Sequence, residues 1–208
     1  MDAYTRHQEV VNGITHGIAI LLGIIGLPFL IASAAAHSTT AAIISACIYS
    51  FSFLLLFTCS TIFHLCQEPA WRRIFKIFDH IAIYFLIAGT YTPFLVIYMD
   101  NTFGHTLLYI LWGLTAVGIF FKLRFTGRFE IVSTIIYILM GWIMVAGGSK
   151  FFDALPHQVA VYICVGGVIY TLGTIFYIWD KYKYTHAVWH LFVIAGAACH
   201  YTAVWLAV

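Results

Sequence analysis

The chain has 208 residues, of which 62% are hydrophobic and 9% charged, with a formal net charge of +2. A soluble domain usually carries about 25% charged residues, and with a mean hydropathy of +0.95 no soluble domain of useful size remains. Nucleic acid is excluded as a partner, because the basic residues are scattered over short connections instead of gathered on one face.

The charge-poor runs are long enough for membrane helices, which need about 20 apolar residues, and too continuous for barrel strands of about ten alternating residues. They predict an all-α integral membrane protein, a single transmembrane domain over residues 1–208. Its seven spans run from Gly13 to Ala35, Ala41 to Leu65, Ile77 to Met99, His105 to Phe121, Ile131 to Gly148, His157 to Trp179 and Thr185 to Val208.

Met1 to Asn12 is polar and mixed in charge, without the basic region, short apolar core and small-residue cleavage site of a signal peptide, so no cleaved signal is expected. Glu9 and Asn12 are read as caps at the start of the first helix, and His16, one turn on, as a packing residue or part of a polar cavity wall. Gly13-x-x-x-Gly17 has the small-residue spacing of a close helix contact. Ser60-x-x-x-His64 ends the second span with both side chains on one face. Trp71, Arg72 and Arg73 follow as interfacial anchors.

Asp79-His80 opens the third span; Asp79 is the candidate for chemistry, while His80 points elsewhere on the helix and is placed at the membrane interface. Pro93 kinks the same span, and Tyr91 and Thr92 either satisfy the opened backbone or line a substrate path. The last span begins with His186-x-x-x-His190, whose rings can address one atom. His200 lies ten residues further, about 15 Å along the axis, too far for the same ion, and is read as a buried hydrogen-bonding residue. The five cysteines fall in or beside spans and are read as small core residues without disulfides.

Charge sets the expected orientation. Arg6, Arg72, Arg73, Lys76, Lys122, Arg124, Arg128, Lys181 and Lys183 share one side and only Lys150 falls on the other, which places the N-terminus in the cytoplasm and the C-terminus outside the cell (inner) membrane. Ser60, His64, Asp79, His186 and His190 then all lie in the cytoplasmic leaflet. An ionisable group at membrane depth costs roughly 2.5–3.5 kcal/mol on lenient insertion scales, which marks such a cluster as functional. Three neutral imidazoles suit Zn²⁺, and three protein ligands with a water in the fourth position is the layout of a catalytic site. His64, His186 and His190 are the expected metal ligands, Asp79 the group that orients or deprotonates the water, and Ser60 a further polar contact.

The strings Glu9-x-x-Asn12-x-x-x-His16, Ser60-Thr61-Ile62-Phe63-His64, Phe78-Asp79-His80, Gly89-Thr90-Tyr91-Thr92-Pro93-Phe94 and His186-Ala187-Val188-Trp189-His190, with His200 downstream, carry a resemblance. Over essentially its whole length the chain resembles the haemolysin III family, the bacterial branch of the progestin and adipoQ receptor proteins. The resemblance implies seven helices with the N-terminus inside and a zinc on His64, His186 and His190, with Asp79 and Ser60 at the water-side polar positions. Adiponectin-receptor relatives are associated with zinc-dependent hydrolysis of the ceramide amide, and a wider group of membrane hydrolases shares the Ser, His, Asp, His, His pattern. The chain lacks those receptors' long N-terminal region, so hormone reception is not expected. No secretion signal or amphipathic pore-forming segment accounts for haemolysis.

The expected function is a zinc-dependent membrane hydrolase that cleaves a lipid amide or ester and serves membrane lipid homeostasis, with a membrane lipid as substrate or ligand. One alternative is a non-enzymatic sensor of membrane state in which zinc clamps the second and seventh spans together. The other is a haemolysin-type pore or ion-coupled carrier, which requires a continuous polar path.

Overall fold

The computed structural model describes residues 3–37, 39–179 and 182–208. Its helices are α1 (Ala3–His37), α2 (Thr40–Leu65), α3 (Pro69–Tyr98), α4 (Thr102–Phe125), α5 (Glu130–Gly141), α6 (Ile143–Phe152), α7 (His157–Ile178) and α8 (Thr185–Ala207). Among the described residues seven helical segments are long and apolar enough to cross a membrane, with α5 and α6 together forming the fifth, and no strand is present. The expected all-α, seven-span, multi-pass architecture is therefore found. Lys181, counted above among the basic residues, lies outside the described residues.

Several helices outrun their apolar stretches. α1 begins at Ala3, ten residues before the expected start, and α3 at Pro69, eight before, with the proline in the first turn, where its missing N–H is no loss. Asp79 and His80 therefore sit in the third turn of α3 and not at its beginning. α4 starts at Thr102, where the Asn101 side chain accepts hydrogen bonds from the Phe103 and Gly104 backbone N–H groups at 3.0 and 3.1 Å. The Thr39 hydroxyl likewise accepts from the Ala42 N–H at the start of α2.

The expected unbroken fifth helix is interrupted. The chain leaves helical geometry at Trp142 (φ −100°, ψ 16°), between α5 and α6. No proline sits there; neighbouring helices grip the break. The Tyr91 hydroxyl of α3 donates to the Gly141 carbonyl, and the Trp142 indole N–H donates to Thr171 of α7 at 2.9 Å. On α3 itself the Thr92 hydroxyl donates to the Ala88 carbonyl at 2.8 Å, beside the backbone that Pro93 opens. Tyr91 thus serves another helix, and Thr92 serves both its own helix and α4, whose Trp112 indole N–H donates to its hydroxyl at 3.2 Å.

The surface, and not the core, departs from the pattern of a soluble protein. Leu21, Leu22, Ile25 and Phe29 of α1, and Tyr109, Val117 and Phe120 of α4, point outward, as a lipid-facing surface requires. Inside, apolar and aromatic side chains such as Leu30, Phe57 and Phe94 are interspersed with polar and small ones, among them Asn12, His16, Ser45, Ser52, Ser60, Thr90 and Thr115. In lipid, helices associate through close backbone approach and internal hydrogen bonds, not by hiding apolar surface. A Cβ on Gly13 would lie 2.7 Å from the Leu65 side chain, so the Gly13/Gly17 face does pack α1 on α2. A Cβ on Gly89 would lie 2.8 Å from the Ser52 Cβ, which sets how near α3 comes to α2.

α3 is the hub, packed against α2, α4, α5 and α8, while α7 pairs with α8 and α1 closes on both α2 and α8. α5 meets α3 and α7 only sparsely. The gap between these three helices becomes the cavity described next. Of the cysteines only Cys59 is buried; Cys47 is exposed and Cys66, Cys164 and Cys199 are partly so, which corrects their reading as core residues. Cys47, Cys164 and Cys199 fall on partly exposed helix faces, and Cys66 follows the end of α2, where its thiol donates to the Glu68 carbonyl at 3.8 Å.

Candidate metal centre

α2 delivers His64 in its last turn, and α8 delivers His186 and His190 in its first two. Tyr184, in the left-handed conformation (φ 63°), turns the chain into α8. One ring nitrogen from each of the three histidines lies within 4.8 Å of the others. The ring centroids stand 5.2 Å (His64 to His186), 4.9 Å (His64 to His190) and 4.7 Å (His186 to His190) apart. The Nε2 of His64 is buried without a hydrogen-bond partner. A buried polar atom left unpaired is unusual and calls for a ligand or ion. Three imidazoles around an unpaired nitrogen form a donor set suited to a transition metal, and this group can hold a metal ion.

The opposite sides of the His64 and His190 rings are occupied. His64 Nδ1 lies 2.6 Å from the Glu9 carboxylate of α1, whose other oxygen accepts from the Arg72 guanidinium at 2.6 Å. His190 Nδ1 lies 3.1 Å from the Asn12 carbonyl oxygen, also on α1. His16 stacks on His190 with centroids 3.6 Å apart and planes at 12°. The capping role expected for Glu9 and Asn12 is therefore overturned: α1 begins well before them, and both face inward. His16 does line the cavity, as one of its readings held.

That cavity has a volume of about 600 Å³ and brings Ser60 and Asp79 to the same space as the three histidines. Ser60 is buried one turn before His64 on α2. Asp79 is half-buried and forms no hydrogen bond or ion pair among the described residues. Beyond them Leu86, Ile87, Ile138 and Val193 give the cavity an apolar wall.

Three further expectations need correction. His80 is buried and not interfacial: its Nδ1 lies 2.6 Å from the Lys76 carbonyl oxygen and its Nε2 3.3 Å from Glu130. It does point away from Asp79, but towards α5 and not towards lipid. Arg72 turns inward to Glu9, and also donates to the Phe63 and Cys66 carbonyls at 3.1 and 3.4 Å; its neighbour Trp71 remains exposed. His200 is buried, yet neither ring nitrogen has a hydrogen-bond partner; the ring is wedged against Gly166 of α7 with the Tyr170 ring 5.3 Å away. It stands apart from the metal group, as its spacing required.

Sequence reading missed Glu130 and Lys122. The Lys122 ammonium donates to Glu130 at 2.8 Å inside the bundle. Glu130 is the lone acidic residue between Asp100 and Asp153, standing at the head of an apolar span with a lysine eight positions earlier. That isolation was the available signal.

The sequence matches the Haemolysin-III related family over residues 4–201. It is 43% identical over 201 residues to "Hemolysin-3 homolog" of Bacillus subtilis (strain 168), covering 97% of this chain and 94% of that one. It is 42% identical to "Hemolysin-3" of Bacillus cereus, covering 92% and 87% of the two chains. It is also 29% identical to the human "Monocyte to macrophage differentiation factor", covering 97% and 84%. A membrane bundle with these inward-facing histidines, matched from end to end, belongs to the Haemolysin-III related family.

Proposed function

We propose that the chain is a zinc-dependent integral-membrane hydrolase that cleaves an amide or ester bond of a membrane lipid and thereby adjusts membrane lipid composition. The observation that carries this reading is the convergence of three histidines, Asp79 and Ser60 on one cavity with an apolar wall. A metal centre sealed for structure alone has no use for that space. The same proposal puts the centre in the cytoplasmic leaflet, with the N-terminus inside.

Zinc held by His64, His186 and His190 would supply Lewis acidity and bring a water to a pKa of about 7. Among the described residues Asp79 makes no hydrogen bond or ion pair, so its carboxylate can orient the attacking water and take its proton. The Ser60 hydroxyl can donate to the oxygen on which negative charge develops. Leu86, Ile87 and Ile138 offer the acyl chain a dry surface and keep bulk water from the reacting carbonyl.

One feature favours a second reading, in which the ion is a clamp and the protein a membrane sensor. α2 and α8 barely touch each other apart from the histidines, so an ion there joins two helices that otherwise meet through α1 and α3. Incubating the purified chain with a total membrane lipid extract, before and after chelation, separates the two. Release of a fatty acid or amine, lost on chelation and restored by zinc, is the expected result. A chain that holds one zinc and cleaves no lipid establishes the clamp instead.

A further inference from the structure

We infer that α1 is the orienting helix of the metal centre: the Glu9 side chain and the Asn12 carbonyl fix the Nδ1 side of His64 and His190, so that each ring presents Nε2 to the ion, and Arg72 holds Glu9 in place. The inference rests on the metal-centre reading above. It assigns to Glu9 and Arg72 a positioning role, distinct from ligation and from proton transfer.

A neutral imidazole carries one proton on either nitrogen, and only the bare nitrogen can bind a metal. The partner of the other nitrogen decides which is bare. A carboxylate already paired with a guanidinium can only accept, and so can a backbone carbonyl. Glu9 at 2.6 Å therefore places the proton of His64 on Nδ1, and the Asn12 oxygen at 3.1 Å does the same for His190. For His64 the nitrogen left bare is the one that is buried and unpartnered. Glu9, Asn12 and His16 fall at i, i+3 and i+7, one face of one helix, and His16 adds a flat stack that limits how far the His190 ring can turn.

Arg72 completes the brace. One of its nitrogens donates to Glu9, and the other donates to the Phe63 and Cys66 carbonyls at the end of α2, with the guanidinium 4.6 Å from the centre of the Phe63 ring. The carboxylate is thereby tied to the same helix turn as the ring it directs. Three helices meet in the chain of contacts from Arg72 (α3) through Glu9 (α1) to His64 (α2).

Partners of this kind behind a ligating histidine typically change metal affinity by about 10- to 100-fold. The test is a zinc titration of the full-length chain in detergent against a chromophoric competitor, alongside ¹⁵N-histidine NMR of the metal-free protein. Glu9→Ala is expected to weaken zinc by 10- to 100-fold and to release His64 from the Nδ1–H form. Glu9→Gln, whose amide oxygen still accepts from Nδ1, is expected to retain most of the affinity, and Arg72→Ala to fall between them. Glu9→Gln also keeps the comparison open if the alanine variant fails to fold. A folded Glu9→Ala chain with wild-type affinity, or a wild-type His64 protonated on Nε2, overturns the inference. Failure of the metal reading itself shows separately, as an unmutated chain that binds no divalent cation.

Discussion

Replacing Glu130 by alanine removes the carboxylate that pairs directly with the buried Lys122. The Lys122 side chain is 0% exposed, and Glu130, 29% exposed, is its ion-pair partner at 2.8 Å. The same carboxylate faces His80 Nε2 at 3.3 Å and accepts from the Gly127 N–H at 2.9 Å. Breaking a fully buried pair costs about 3–5 kcal/mol, because one charge is stranded; partial solvation through the cavity around Glu130 brings the expected loss for Glu130→Ala to about 2–4 kcal/mol. At about 2–4 °C per kcal/mol for a chain of this size, the Tm should fall by about 5–15 °C. Lys122→Met should be milder, about 1–2 kcal/mol, since it leaves a half-solvated carboxylate with two remaining donors. Combining Lys122→Met with Glu130→Ala should then cost less than the sum of the two single losses, with a coupling of about 1–3 kcal/mol. Thermal unfolding in detergent micelles, followed by circular dichroism, measures each value. A Glu130→Ala chain that melts within 2 °C of wild type, or single losses that simply add, would show that Lys122 does not depend on this carboxylate.

Asp79→Asn should keep the metal and lower lipid turnover by about 10²- to 10⁴-fold, because an amide can hold a water but cannot take its proton; a wild-type rate at wild-type metal content would remove Asp79 from that role. Gly89→Ala should destabilise the bundle by about 1–3 kcal/mol, since the new methyl meets Ser52 and the Ile48 carbonyl of α2, and an unchanged melting temperature would mean that α3 can shift outward freely. Reporter fusions should place the N-terminus in the cytoplasm and the C-terminus outside, given nine basic residues on one side and one on the other. Both termini reporting one compartment would contradict this.

The span count and the meeting of the five polar residues at one cavity were legible because each follows from periodicity and length. His64, His186 and His190 come together because a fixed rise per residue puts helix ends at matching depths. What escaped is what hydropathy does not register. The turns of α1 before Gly13 are polar, so they read as a tail although they are helical and carry Glu9 inward. Arg72 was assigned to the interface by residue type, but its reach depends on where the end of α2 exposes carbonyls. The break at Trp142 has no proline to announce it; it depends on Tyr91 and Thr171, which are remote in sequence. His80 illustrates the remaining limit: helical spacing fixes the direction of a side chain relative to its neighbours, and only the assembled bundle decides what it meets.

The centre joins the first helix to the last. Asn12 and His190 are 178 positions apart. At roughly 5–20 residues per second, ribosomal synthesis separates their appearance by about 10–40 s. Through that interval His64, Glu9 and Arg72 can already be assembled, since α1, α2 and α3 leave the ribosome in sequence, whereas His186 and His190 do not yet exist. A chain that stops before His186 therefore offers a membrane no more than one of the three imidazoles. The three-histidine group can be complete only after the start of α8 has been made, so its occupancy would mark chains in which the first and last helices have both been inserted.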